Sequence, residues 1–447
     1  MTLRNLVVFL SVLASFWAGP ARAQNPLITN QFSADPSARV FNGRVYVYPS
    51  HDILATKERG RLGWFCMADY HVFSSANLTD WTDHGVMVTQ NKVPWVKPDS
   101  YSMWAPDCIF RNGKYYFYFP TSPRDTTVSK GFTVGVAVAD QPTGLFVPQP
   151  LPLKGVRGID PNVFIDKDGQ AYLYWSQGNL YGAKLKENML ELASEPKTLG
   201  ELPTKGLKEG PYMVEHNGTY YLTYPHVENK IERLEYATGT SPLGPFKVQG
   251  VIMDEMPGCW TNHHSIVEFK NQWYLFYHHN DLSPSFDKAR AIRLDSLFFE
   301  PNGNIRKVVP TRRGAGLTDA RQKIQLDRYS RLSSSGAAIA FLDTANTFLG
   351  WKTEFADNRG WVQYNGVAFG KKALTTVTLR VQAAAGATVQ LRANGPTGPV
   401  LAVVTVPQGG QWQEVKAPLS AFRAGTHTLL VAPKTNAPVA IDWVRFE

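Results

Sequence analysis

Three observations predict an all-β protein, a five-bladed β-propeller followed by a C-terminal β-sandwich that is jelly-roll-like. A figure made of a polar head, a short apolar strand, a tight turn and an aromatic-rich strand recurs five times at intervals near 50 residues. After about residue 320 that figure gives way to strong apolar/polar alternation with turn signals at short spacing. Aromatic residues make up 12% of a chain that is 43% hydrophobic and 19% charged, a globular composition rich in strand formers. At 447 residues the chain is too long for one small core, so two domains are expected, over 24–320 and 321–447.

In chain order, residues 1–23 come first. They carry Arg4, an apolar run from Leu6 to Trp17, and Ala21-Arg22-Ala23. This is the order of a secretory signal peptide, with cleavage expected before Gln24. The run is short for a spanning helix, and no later stretch could cross a bilayer. A secreted or periplasmic protein with no membrane span in its mature form is therefore expected.

The first copy of the figure is "ADPSARVFNGRVYVY" at 34–48, and "WAPDCIFRNGKYYFYFP" follows at 104–120. The third and fourth are "GIDPNVFIDKDGQAYLYW" at 158–175 and "KEGPYMVEHNGTYYLTYP" at 208–225. A divergent fifth, "NHHSIVEFKNQWYLFYHH", occupies 262–279. The heads are Asp35, Asp107, Asp160, Glu209 and His263, separated by 72, 53, 49 and 54 residues. The expected turns are Asn42-Gly43, Asn112-Gly113, Asp168-Gly169, Asn217-Gly218 and Asn271-Gln272. Asn-Gly and Asp-Gly suit the positive φ that type I′ hairpin turns demand. Strand pairs at this period, with alternating material between them, read as one four-stranded sheet per repeat arranged around an axis. Unrelated hairpins in a sandwich are the alternative.

A propeller brings the inner strands to a common axis, so heads far apart in sequence converge. Asp35, Asp160 and Glu209 then form a set of carboxylates that repel one another and resist desolvation, an arrangement usually kept for chemistry. Two carboxyl groups flanking a labile bond are what glycoside hydrolysis needs, one ionised and one protonated. A third acid can raise the pKa of the proton donor and orient it. Asp107 is read as structural.

The ordered trio in those copies, with "WAPD" at 104–107, "HHSIVEF" at 263–269 and "RAIRLDSLFFEPNGNI" at 290–305, resembles glycoside hydrolase family 43 over residues 26–318. The resemblance implies an inverting mechanism. Asp35 would be the base that activates water and Glu209 the acid that protonates the leaving oxygen. Asp160 would tune and orient Glu209. Inversion places base and acid about 6.5–9.5 Å apart. Trp104 would be a sugar-stacking platform, with a core position as the alternative. Arg290 would contact the pocket acids or substrate. His263 would match a histidine on the propeller axis that stands next to a calcium ion or water, hydrogen bonding without metal being the alternative. The chemistry needs no cofactor, and a structural calcium near the axis is the one ion implied. The partner is a polysaccharide or oligosaccharide, and arabinofuranosyl or xylosyl units are the leading substrates. Galactofuranosyl, galactan and arabinan substrates share the same acids. A retaining fructan enzyme would need "NDPNG", "RDP" and "EC" where this chain has "IDP" and "EG". A non-catalytic sugar-binding propeller would lack an acid, and none is missing.

Beyond residue 323 the stretches "IQLDRYSRLSS", "RGWVQYNGVAFG", "GGQWQEVKAPL" and "IDWVRFE" resemble carbohydrate-binding module family 6. The resemblance implies sugar held between two aromatics beside an asparagine that precedes the final strand. Ala440 occupies that asparagine position here. Trp361, Tyr364 and Trp412 are candidates for core or binding.

The net charge of +9 is scattered, with "KERGR" at 57–61 and "RKVVPTRR" at 306–313 the densest groups. No basic arm or helix-turn-helix accompanies it, which argues against nucleic-acid binding. Cys66, Cys108 and Cys259 could form at most one disulfide. No Cys/His spacing resembles a zinc site. Oligomeric state leaves no signal in the sequence.

Overall fold

The computed structural model describes residues 24–200, 202–203 and 205–447, so the expected signal peptide at 1–23 lies outside the described residues. The protein is all-β. Among the described residues, 34–297 form five antiparallel sheets in sequence order, each opening with one copy of the repeated figure. The opening hairpins are Ala34–Phe41 with Arg44–Ser50, Asp107–Arg111 with Lys114–Thr121, and Ile159–Ile165 with Ala171–Ser176. Tyr212–His216 with Thr219–Val227 and Ser265–Phe269 with Gln272–His279 complete the set.

The tight turns follow from backbone chemistry. Asn42-Gly43, Asn112-Gly113 and Asn217-Gly218 all have positive φ at both residues, the geometry that matches strand twist. At the third hairpin only Gly169 has positive φ, and residues 166–170 make a longer loop. The fifth turn differs from expectation. Lys270 and Asn271 hold the positive φ values of 53° and 62°, and Gln272 is already in the strand, paired with Phe269. Asparagine tolerates the left-handed region, so the missing glycine moves the turn one residue toward the N-terminus.

Both faces of these sheets are covered. In Lys114–Thr121, Tyr115, Phe117 and Phe119 pack with Tyr48, Tyr70 and Val72 of the first sheet, while Tyr118 packs with Val163 and Leu173 of the third. Equivalent apolar layers join the third sheet to the fourth, the fourth to the fifth and the fifth to the first. The first strands likewise touch in a closed cycle, each contacting the next and the fifth contacting the first. Residues 25–33 complete that closure beside Ala291–Leu297, through Leu27 N–H to Ile292 O at 2.8 Å and Ser33 N–H to Arg290 O at 2.8 Å. The buried Asn25 amide accepts from Leu294 N–H at 2.8 Å and donates to Leu294 O at 3.0 Å, taking the place of a strand residue.

From Thr318 onward, two six-stranded sheets enclose a second core that includes Leu379, Val389, Leu391, Val431 and Ile441. Tyr364 belongs to this core. The two parts of the chain meet where Trp351, Ile339 and Phe341 pack on Leu282, Ala291 and Phe32. All three cysteines are buried and unbridged. Among the described residues no helix is long and apolar enough to cross a membrane.

Candidate active site

Each acid sits where its strand breaks regular geometry. Asp35 and Asp160 have positive φ, 47° and 58°, immediately before Pro36 and Pro161. The strand register slips at both places. Such a conformation costs a non-glycine residue about 1–3 kcal/mol and gathers at functional sites. The proline excludes continuation of regular pairing, so the aspartate turns out of the ladder. Glu209 precedes Gly210, whose φ of 52° and N–H to Asp160 Oδ2 contact at 3.0 Å turn the chain there. A Cβ at Gly210 would come within 3.1 Å of the His263 ring.

These acids open into one cavity of about 160 Å³ lined by Trp64, Phe65, Trp104, Trp260, His263 and Arg290 in addition to the trio. Arg290 is the hub. It donates to both oxygens of Asp35, at 2.8 and 3.1 Å, and to both oxygens of Asp52, at 2.9 and 2.8 Å. Its guanidinium also lies 4.8 Å over the ring of Phe65. Arg290 thus contacts Asp35 in the pocket and Asp52 beside it.

Burial alone would raise the Asp35 carboxyl, but the Arg290 guanidinium, with smaller help from His278 and His263, outweighs it and holds the group at about 2. His278 accepts the Asp35 N–H at Nδ1, 3.1 Å away, and donates from Nε2 to Thr261 O at 3.1 Å. Burial and Arg290 keep this imidazole neutral, so the guanidinium is the charge that matters. Asp35 is therefore ionised throughout the neutral and weakly acidic range.

Glu209 is the opposite case. Burial first, then the negative charge of Asp160, pushes it up to about 7. Asp160 is itself raised by burial and by Asp35, with His263 opposing. Its Oδ2 accepts from Ser176 Oγ at 3.1 Å and from Gly210 N–H. The pocket thus holds one strongly ionised carboxylate and one carboxylic acid that keeps its proton near neutral pH. A fourth carboxyl, Glu232, is 1% exposed. Its Oε2 accepts the Asn262 N–H, and its Oε1 has no partner. Burial first, and then the neighbouring Glu209 charge, raise Glu232 well above the ordinary carboxylate range, and its nearness partly offsets the rise of Glu209.

Trp104 lines the cavity, packed 4.5 Å from Phe132 and 5.9 Å from Phe65. Asp107 does not line it. It accepts from Ser37 Oγ at 2.5 Å, Arg39 Nε at 3.0 Å, Asn162 Nδ2 at 3.1 Å and Val163 N–H at 2.7 Å, so it ties three adjacent first strands together.

His263 also lines the pocket, its Nδ1 standing 3.8 Å from Asp35 Oδ1 and 3.9 Å from Asp160 Oδ1. As a calcium ligand it is poorly served. Calcium takes six to eight oxygens, and the carboxylates beside His263 are committed to Arg290, Ser176 and Gly210. On the next residue, His264, Nδ1 is buried without a partner, and Nε2 meets Thr223 Oγ1 at 2.6 Å. Asn262 Oδ1 is likewise buried and unpartnered. Any cation held near the axis would be met by His264 and Asn262 rather than by His263.

Asp52, Glu232 and His278 come from second and third strands or their ends, and Trp64 and Phe65 from the 51–68 loop. None belongs to the repeated heads, so the repeat did not mark them. In the second core, the groove beside Ala440 measures about 590 Å³ and Phe355 is the one aromatic residue that lines it. Trp361 and Trp412 lie elsewhere, under the guanidinium groups of Arg331 at 5.8 Å and Arg380 at 4.9 Å.

The family model for glycosyl hydrolases family 43 matches residues 23–305. That for carbohydrate binding module (family 6) matches residues 339–447. Xylosidase/arabinosidase 43A of Humicola insolens is 38% identical over 331 residues, covering 63% of this chain and 98% of that protein. A xylosidase/arabinosidase of Bacteroides ovatus is 35% identical over 326 residues, 62% of this chain and 95% of the relative. Among solved structures, a GH43 β-xylosidase/α-arabinofuranosidase from a compost microbial metagenome, in complex with xylotriose and calcium-free, is 35% identical. It spans 65% of this chain and 98% of its own, with a TM-score of 0.58.

Proposed function

The chain belongs to glycosyl hydrolases family 43, and from that premise we propose that it removes terminal xylosyl or arabinofuranosyl units from plant hemicellulose or its oligosaccharides, with inversion. The observation that carries this reading is the opposed state of two carboxyls in one pocket, Asp35 near 2 and Glu209 near 7. Asp35 takes a proton from water as that water attacks the anomeric carbon. Glu209 delivers its proton to the leaving oxygen. Arg290 fixes the rotamer of Asp35 and keeps it ionised, acting on the sugar through the base. Asp160 raises Glu209 by its charge and, through Gly210, sets the direction from which Glu209 enters the pocket.

The substrate class is supported by the names of the relatives and by size. A cavity of about 160 Å³ has the volume of roughly five water molecules at about 30 Å³ each. A pocket of that size suits a single sugar ring, which supports release of terminal units. Trp104, Trp64 and Trp260 offer apolar faces around it. His263, between the two aspartates, is placed to hydrogen-bond a sugar hydroxyl. The chemistry requires no cofactor.

We read the closed cycle of five sheets as a five-bladed propeller, and the division at about residue 320 as the start of the sandwich, where Thr318–Asp319 first pairs with Val367 and Ala368. The leader-like order of residues 1–23 favours export to the periplasm or the medium. As the test of function, Asp35→Asn and Glu209→Gln should each lose about 10³-fold or more in kcat on xylo-oligosaccharides while retaining the wild-type far-UV spectrum. Near-wild-type turnover by either variant would overturn the assignment.

A further inference from the structure

Outside the pocket, one cluster has the chemistry of a metal centre. His51 follows the strand Arg44–Ser50, and Asp69 and His71 lie on the strand Asp69–Ser75. One donor atom from each of the three stands within 4.8 Å of the other two. The ring centroids of His51 and His71 are 4.8 Å apart, edge to face. Both rings have their Nδ1 atoms occupied by carboxylates. His51 Nδ1 donates to Asp69 Oδ1 at 2.6 Å, and His71 Nδ1 donates to Asp83 at 3.0 and 3.2 Å. An ionised carboxylate only accepts, so His71 carries a proton on Nδ1 and offers Nε2 to a metal, while at His51 a metal would displace the proton that Nδ1 shares with Asp69 Oδ1. The Asp83–His71 contact is the outer partner that metal-bound histidines usually have.

We propose that His51, Asp69 and His71 form a site for a borderline divalent transition metal of the Zn²⁺ class. Two imidazole nitrogens and one carboxylate oxygen suit such an ion at about 2.0–2.2 Å, with ligands about 3.3 Å apart in a tetrahedron. Rotamer adjustment of three partly exposed side chains closes the cluster to that spacing. Hard cations are poorly matched, because calcium and magnesium take oxygen ligands almost exclusively.

The position of the site gives it a consequence. His51 and Asp69 bracket the loop 52–68, which carries Trp64, Phe65 and Met67 into the wall of the pocket. Most of its middle, from Thr56 to Trp64, is exposed. The base of the loop is now held by the His51–Asp69 hydrogen bond and by Ile53 N–H to Cys66 O at 2.9 Å. A metal joining His51, Asp69 and His71 clamps that base and restrains the aromatic wall.

Equilibrium dialysis of the full mature chain against ZnCl₂, followed by metal analysis, tests this directly. One zinc per chain is expected, and His71→Ala and Asp69→Asn should each bind at least about tenfold more weakly. Asp69→Asn preserves shape, which covers the case where His71→Ala fails to fold. Trypsin gives a second readout, since Lys57, Arg59 and Arg61 all lie in the exposed loop. Zinc should slow cleavage there in the wild type and leave the rate unchanged in Asp69→Asn, and CaCl₂ should do neither. Absence of stoichiometric zinc, or equal binding by wild type and both variants, overturns the proposal.

Discussion

Replacing Asp160 by asparagine isolates the electrostatic part of the pocket. The amide keeps the size of the side chain and can still accept from Gly210 N–H and Ser176, so the geometry is preserved while one negative charge is removed. Burial of Glu209 is unchanged and still holds it above its ordinary value of 4.5. The Gly210 N–H contact at 3.0 Å places Asp160 against the residue that follows Glu209, and two charges about 7 Å apart interact by about 2 kcal/mol at an effective dielectric constant near 20. At 1.36 kcal/mol per pH unit, the alkaline limb of kcat/KM should fall from about 7 to about 5.5–6. The protonated fraction of Glu209 at pH 7 then drops from about one half to less than one tenth, a roughly five- to fifteenfold loss of rate. The assay is kcat/KM against pH from 4 to 9 on xylobiose, whose poor leaving group needs the proton. An aryl xyloside with an acidic phenol serves as the control and should lose less. An alkaline limb that stays at about 7 in Asp160→Asn would refute the claim that Asp160 tunes Glu209.

Two other predictions concern neighbouring acids. Glu232→Met removes the neighbouring carboxyl that partly offsets the rise of Glu209, so the alkaline limb should move upward, opposite to Asp160→Asn. The same pH profile checks this, and a downward shift would contradict it. Asp107→Asn leaves the partly buried Arg39 without its carboxylate, which should cost about 2–4 kcal/mol in urea unfolding. The turnover of the remaining folded enzyme should stay within about threefold of wild type, because Asp107 lies outside the pocket, and a larger fall would give Asp107 a role in the chemistry.

The parts of the molecule legible in its sequence are those that repeat. The heads Asp35, Asp160 and Glu209 could be placed in one pocket because each stands a short way before a hairpin turn of known chemistry. Asp107 shares that pattern, and only its contacts with Arg39, Asn162 and Val163 show that it ties strands together. Residues that act from outside the repeated figure carry no such mark. Asp52 lies just after the first copy and looks like an ordinary loop aspartate until Arg290, 238 residues later, is seen against it. Glu232 begins a third strand with nothing local to show that it will face Glu209. Adjacent residues of an extended chain point in opposite directions, so "HHS" could not say which histidine faces the pocket. His263 does, and His264 is buried with a free nitrogen. The metal-like cluster combines residues 51, 69 and 71 through pairing of the first sheet's strands, and a search for zinc spacings along the sequence passes over it.

The central claim is that water, activated by Asp35, attacks the anomeric carbon while Glu209 protonates the leaving oxygen from the other side. Proton NMR of the first-formed sugar, recorded faster than mutarotation on a β-xyloside, tests this most directly. The account predicts that α-xylose appears first and β-xylose follows only by mutarotation. Initial formation of β-xylose would require a covalent intermediate and would contradict it.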